Sequence, residues 1–118
     1  MSFTWSEIRS EDELNEILTG VSDPADIFPL ILKHSKRCVL SGMAKNRLER
    51  KADSRISYYF IDVISNRSVS NLLTDKTGVK HESPQMFLFS GSHLISVKSH
   101  MAIDASEITT RLDSLIRI

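Results

Sequence analysis

Two spacings of apolar residues run along the chain. After Ser10-Glu11-Asp12-Glu13, Leu14, Ile17 and Leu18 recur at i, i+3 and i+4, which places them on one face of a helix. Ser10 and Glu13 have the form of a capping box, and Gly20 supplies a stop. Pro24 predicts a loop. A first strand is expected over 27–34, with Pro29 near its start, where a missing backbone donor is best tolerated. Its Leu30-Ile31-Leu32 run does not alternate with polar residues, so both faces should be covered. Beyond Cys38, Leu40, Ala44 and Leu48 form one helical stripe with Met43 beside it. Lys45, Arg47, Glu49, Arg50 and Lys51 of that helix are expected to face solvent. Tyr58, Tyr59, Phe60 and Ile61 mark a second strand over 57–63. A third helix starts at Asn66-Arg67-Ser68, turns Val69, Leu72 and Leu73 inward and closes at Gly78. A third strand over 86–89 turns at Ser90-Gly91-Ser92 and returns over 93–98 as an edge strand. Asp104-Ala105-Ser106-Glu107 is a second possible capping box, followed by an inner stripe of Ile108, Leu112, Leu115 and Ile116.

The predicted order is α-β-α-β-α-β-β-α. Strands joined by a helical crossover run parallel, and the final pair is an antiparallel hairpin. There are no internal repeats or linkers, so the 118 residues are read as one domain, 1–118. A mixed four-stranded sheet flanked by helices, with a cysteine where the first strand gives way to a helix, is the outline of a thioredoxin-like α/β fold.

Composition removes several function classes. Fifteen basic and fifteen acidic side chains cancel, so bulk charge makes no case for nucleic acid. No apolar run approaches the roughly 20 residues of a membrane span, and the first residues do not read as a signal peptide. A single cysteine excludes an internal disulfide, and the cytoplasm is the expected compartment.

That cysteine is the main chemical signal. In Lys33-His34-Ser35-Lys36-Arg37-Cys38-Val39-Leu40-Ser41-Gly42 it falls at a predicted helix start. The unpaired N–H groups and positive dipole end there favour a thiolate, and Lys36 and Arg37 add positive charge. A thiol that ionises readily gains in thiolate fraction about what it loses in nucleophilicity, but it leaves faster. Such a place suits a cysteine that accepts a thiol adduct and gives it up. A buried, inert cysteine is the competing reading. Ser41 stands where a dithiol enzyme carries its second cysteine, so a small thiol or another protein must complete any cycle. Ser41 is expected either to hydrogen-bond the sulfur or to cap the helix turn. Ser83-Pro84 precedes the third strand, where thioredoxin-like folds place a cis-proline facing the cysteine. His34, His81, His93 and His100 lack metal-ligand spacing, and no metal site is expected. His34 and His100 are possible neighbours of the site.

Four blocks then carry a family resemblance. They are Lys33-His34-Ser35-x-Arg37-Cys38-x-x-Ser41, Tyr58-Tyr59-x-x-Asp62-Val63-Ile64-x-Asn66-Arg67-x-x-Ser70-Asn71, Gly78-Val79-x-His81-Glu82-Ser83-Pro84-Gln85 and Ser99-His100. Together they closely resemble the monothiol bacilliredoxins, bacterial thioredoxin-like proteins of the bacillithiol system. The family usually has proline directly after the reactive cysteine, where this chain has Val39. The resemblance implies a thiol-disulfide oxidoreductase in which Cys38 removes bacillithiol from mixed disulfides on client proteins. Lys36 and Arg37 would stabilise the thiolate and attract the bacillithiol carboxylates, and Ser83 and Pro84 would seat the adduct. Bacillithiol would be a co-substrate with no tightly bound cofactor, and bacillithiol or a dedicated reductase would resolve the adduct. A monomer with no nucleic-acid or membrane partner is expected. Two other readings stay open: a redox-inactive binding module of the same fold, and an iron–sulfur carrier of the single-cysteine glutaredoxin type. The Gly-Phe pair typical of such carriers is absent.

Overall fold

The structure is a computed structural model that describes residues 4–20 and 27–116. The loop expected at Pro24 lies outside the described residues. Five strands, β1 (Ser6–Glu7), β2 (Phe28–His34), β3 (Ile56–Asp62), β4 (Gln85–Ser90) and β5 (His93–Ser99), form one mixed sheet in the order β1-β3-β2-β4-β5. β1 and β2 run parallel to β3, whereas β4 is antiparallel to both β2 and β5. Four helices, α1 (Glu11–Leu18), α2 (Val39–Arg50), α3 (Arg67–Thr77) and α4 (Ala105–Ile116), cover the two faces, and a 3-10 turn spans His100–Ala102.

Every residue of β2 is buried, because its alternate side chains enter different cores. Phe28, Leu30 and Leu32 pack with Ala44 and Leu48 of α2 and Ile108 and Leu112 of α4. Ile31 packs with Leu14 and Ile17 of α1, Val69 and Leu73 of α3, and Phe87 of β4. That two-sided burial is why the apolar run does not alternate. Pairing between β2 and β4 begins at Leu30, so Pro29 withholds no donor on that side.

Several helix ends follow from local chemistry. Ser10 accepts a hydrogen bond from the Glu13 amide at 3.1 Å, while the Glu13 carboxylate reaches the Arg9 amide rather than that of Ser10. Asp104 accepts from the Ser106 amide at 2.8 Å at the start of α4. Gly78 ends α3 at φ +69°, a left-handed conformation that other residues enter at a cost.

The structure corrects the expected fold in three places. The sheet has five strands, not four: β1 pairs Ser6 with Tyr59 and Glu7 with Phe60, and the Ile8 amide extends the pairing to the Phe60 carbonyl. A two-residue strand carries too little pattern to be read as a period. On α2 the inward stripe is Ser41, Ala44 and Leu48, whereas Leu40 and Met43 are exposed. Lys45 of the same helix does not simply face solvent; its ammonium lies 5.5 Å from the Trp5 ring centre and 5.4 Å from that of Phe60. On α4 the buried set is Ala105, Ile108 and Leu112, while Leu115 and Ile116 are exposed beyond the end of the sheet contact.

Candidate active site

β2 delivers Cys38 to the surface. The strand ends at His34, a tight turn follows with the Cys38 amide bonded to the Ser35 carbonyl at 3.1 Å, and α2 begins. Cys38 is the N-cap residue, with extended backbone (φ −102°, ψ 118°), and it is partly exposed. Its carbonyl accepts the Gly42 amide at 3.2 Å, which closes the first helical turn. The amides of Val39 and Leu40 precede any intrahelical acceptor and add to the positive end of the helix dipole. With Val39 in place of proline, its amide is one of these donors.

Ser41 is fully buried, and its hydroxyl is occupied from two sides. It accepts from the Ser35 amide at 3.0 Å and shares a hydrogen bond with Nδ1 of His34. Neither of these hydrogen bonds involves the Cys38 sulfur. The arrangement that uses every group has the hydroxyl donating to Nδ1, with the His34 proton on Nε2. Burial pushes the His34 imidazole below its ordinary value, and Lys45 and Lys36 push the same way against the opposing pull of Asp62. His34 also meets the Phe60 ring edge to face at 6.0 Å.

The two cations before the cysteine differ. The Lys36 ammonium lies 3.8 Å from the Asp62 carboxylate at the end of β3. Burial raises Asp62, but the amides of Ser65 and Ile64, then Lys36 and His34, outweigh it and hold the carboxyl below its ordinary value. Arg37 is exposed and pairs with no acidic side chain among the described residues.

The Ser83–Pro84 peptide is cis, and Pro84 is buried. The Pro84 carbonyl accepts the His100 amide at 2.9 Å. His100 adopts a left-handed backbone, φ 54°, and its Nδ1 lies 3.2 Å from the Glu82 carboxylate. Arg47 of α2 donates to the His100 carbonyl at 3.3 Å and to the Ile103 carbonyl at 3.2 Å. The helix that starts at Cys38 and the loop that carries Pro84 are thus joined through Arg47 and His100. The Ser83 hydroxyl is buried with no hydrogen-bond partner among the described residues.

Neither Arg47 nor Glu82 was a candidate from the pattern. Both act by contacts distant in sequence, and an exposed helix face or loop gives no periodic sign of that. Among the described residues no group of three or more His, Cys, Asp or Glu could hold a metal ion. A hollow of about 640 Å³ lies between β5 and α4, lined by Ile95, Lys98, Glu107 and Arg111 among others, and none of the Cys38 set lines it.

A cysteine capping a helix after a central parallel strand, with a cis-proline loop opening the neighbouring strand, defines a protein of the thioredoxin fold. Solved structures agree. A protein described as a candidate oxidoreductase with a thioredoxin fold superposes with TM-score 0.79 at 26% identity, over 91% of this chain and 92% of that one. Thioredoxins from Trypanosoma brucei brucei (TM-score 0.72, 12% identity, 98% and 93% covered) and Halobacterium salinarum, the latter a point mutant (0.71, 16%, 97% and 92%), share the fold. Residues 6–108 match the family model of the monothiol bacilliredoxin BrxC, and the chain belongs to that family. Family and fold together point to a thiol redox role.

Proposed function

We propose that this protein is a monothiol disulfide-exchange enzyme that takes bacillithiol off client proteins through Cys38. One observation carries the reading. The only cysteine of the chain is partly exposed at a helix start, while Ser41, three residues on, is buried with its hydroxyl committed to Ser35 and His34. The chain therefore offers one thiol and no internal resolving group.

In the proposed step the Cys38 thiolate attacks the bacillithiol sulfur of a client mixed disulfide. That disulfide breaks, and its electron pair leaves on the client sulfur, which takes a proton from solvent. A new disulfide joins Cys38 to bacillithiol. A second bacillithiol thiolate, or a thiolate of a dedicated reductase, then attacks the same bacillithiol sulfur. Cys38 departs as a thiolate, and the resolving thiol is left in a disulfide with bacillithiol. Leaving is favoured at a helix N-terminus, where the departing charge meets free amides.

The remaining roles are assigned by position. Arg37, with no acidic partner among the described residues, is the better placed of the two cations to receive a bacillithiol carboxylate. Lys36 contributes positive potential while leaning on Asp62. Ser41 and His34 hold the 35–38 turn from beneath. The Ser83 backbone and the Pro84 ring seat the adduct, and His100 holds Pro84. Bacillithiol is a co-substrate, no cofactor is tightly bound, and the enzyme acts as a monomer in the cytoplasm.

Incubation with oxidised bacillithiol and, separately, oxidised glutathione, followed by mass spectrometry of the intact protein, tests this. One adduct on Cys38, formed preferentially with bacillithiol and absent in Cys38→Ser, is expected. No adduct with either disulfide would sink the proposal.

A further inference from the structure

Lys33 is fully buried, a placement lysine almost never takes unless its charge is partnered. It lies on β2 but points to the face opposite α2, into the space between α3 and β4. Its Nζ donates to Oγ1 of Thr74 at 2.8 Å, meets Nδ1 of His81 at 3.0 Å and lies 5.7 Å from the centre of the Phe87 ring. The three ammonium hydrogens thus have three acceptors, two of them lone pairs and the third a ring face. Thr74 passes its own hydrogen to the Ser70 carbonyl.

Gln85 stands opposite Lys33 in the β2–β4 register and is also buried. Its amide nitrogen donates to the Lys80 carbonyl at 3.0 Å, and its oxygen accepts the Glu82 amide at 3.2 Å. Residues 80, 81 and 82 are therefore each held by a polar side chain rising from the sheet. The next two residues are Ser83 and Pro84. None of the hydrogen bonds of Lys33, Thr74 or Gln85 involves Cys38, and an apolar residue at position 33 would fill the space without burying a charge.

We propose that Lys33 and Gln85 are positioning residues that pin segment 80–82 to the sheet, so that the Ser83–Pro84 peptide is presented at a fixed place to the disulfide docking on Cys38. This rests on the exchange reading given above. It explains why a cation follows the apolar run Leu30-Ile31-Leu32 and why His81 matters although it is itself exposed.

The test compares Lys33→Met, His81→Leu and His81→Gln. The Gln side chain keeps an acceptor for the ammonium, and His81 is exposed enough that its variants fold even if Lys33→Met does not. In Lys33→Met and His81→Leu, kcat/KM for a bacillithiol mixed disulfide should fall by about tenfold to a hundredfold, as expected when a reacting group is misplaced. Alkylation of Cys38 by iodoacetamide should stay within about twofold, because the sulfur itself is untouched. His81→Gln should recover most of the loss. Hydrogen exchange at the Glu82 amide and at the His100 amide, which is bonded to Pro84, should quicken by at least about tenfold while the amides of the β2–β4 ladder hold. Unchanged exchange at these two amides, or a Gln variant as damaged as the Leu one, would overturn the proposal. If the wild-type protein shows no exchange activity at all, the enzymatic reading fails, and amide exchange alone still decides whether Lys33 pins the segment.

Discussion

At the scale of single residues, the protein places polar groups where they weaken the core and serve the site. Lys33 is the clearest case. Burial lowers its ammonium from the ordinary 10.5 to about 8, with Thr74, His81 and Phe87 against it and Ser70, Arg67 and Glu82 acting on His81. The unfolded chain keeps that proton up to its ordinary value, so between about pH 8 and 10.5 it binds more protons than the native state. Stability from this group therefore rises with pH across that window, by about 3 kcal/mol for a shift of this size. Lys33→Met should be more stable than wild type at pH 7, by about 1–3 kcal/mol, and should lack the alkaline rise. Urea midpoints at pH 7 and pH 10 check both points, and a strongly destabilised variant at neutral pH would contradict the account. A gain in stability with a loss of exchange would mark the lysine as held for function.

At the scale of elements, helix faces decide which substitutions matter. α2 presents Ala44 and Leu48 to the sheet, while Leu40 lies on the outer side of its first turn, close to Cys38 in the chain. Leu48→Ala should cost about 2–5 kcal/mol, because a fully buried side chain leaves a cavity, whereas Leu40→Ser should stay within about 0.5 kcal/mol. β1 is equally testable. Ile8, next to it, is 1% exposed, so Ile8→Ala should also cost about 2–5 kcal/mol although the strand is only two residues long. Chemical denaturation resolves these differences. A Leu40 variant as damaging as the Leu48 one would mean that the helix is rotated from the arrangement described.

At the scale of the whole molecule, ionisation sets an acid limit in two stages. His34 is held below its ordinary value chiefly by its burial, and His81, exposed at its outer edge, by the desolvation of its ring against Lys33 and by the charges of Lys33 and Arg67. Their contribution is complete above about pH 6.5 and is lost as pH falls further, because the unfolded chain takes up those protons first. Asp53 is lowered mainly by its hydrogen bonds with Arg55, and Asp62 is lowered against its own burial by the amides of Ser65 and Ile64. Both contribute fully above about pH 4 and lose that contribution below it. Arg55 also reaches Asp113 at 2.8 Å, so this network ties the turn before β3 to α4. Thermal midpoints should therefore decline in two steps, one below about pH 6.5 and a steeper one below about pH 4. A profile flat from pH 7 to 5 would show that His34 and His81 do not titrate as described.

The sequence by itself determined the helices, four of the five strands and the position of Cys38 at a strand-to-helix junction. These depend on spacing, caps and turn residues within a few positions of one another. It also carried the family, through blocks around Cys38 and Pro84. Tertiary structure alone decided that Ser41 turns inward to His34, that β1 joins the sheet through Tyr59 and Phe60, and that Lys33 reaches Thr74 and His81. It also brought Arg47 to His100, and His100 to Pro84. Those contacts join residues far apart along the chain, and a polar side chain's burial depends on which distant partner satisfies it. A local pattern records how a segment folds; it does not record which remote atom accepts its hydrogen.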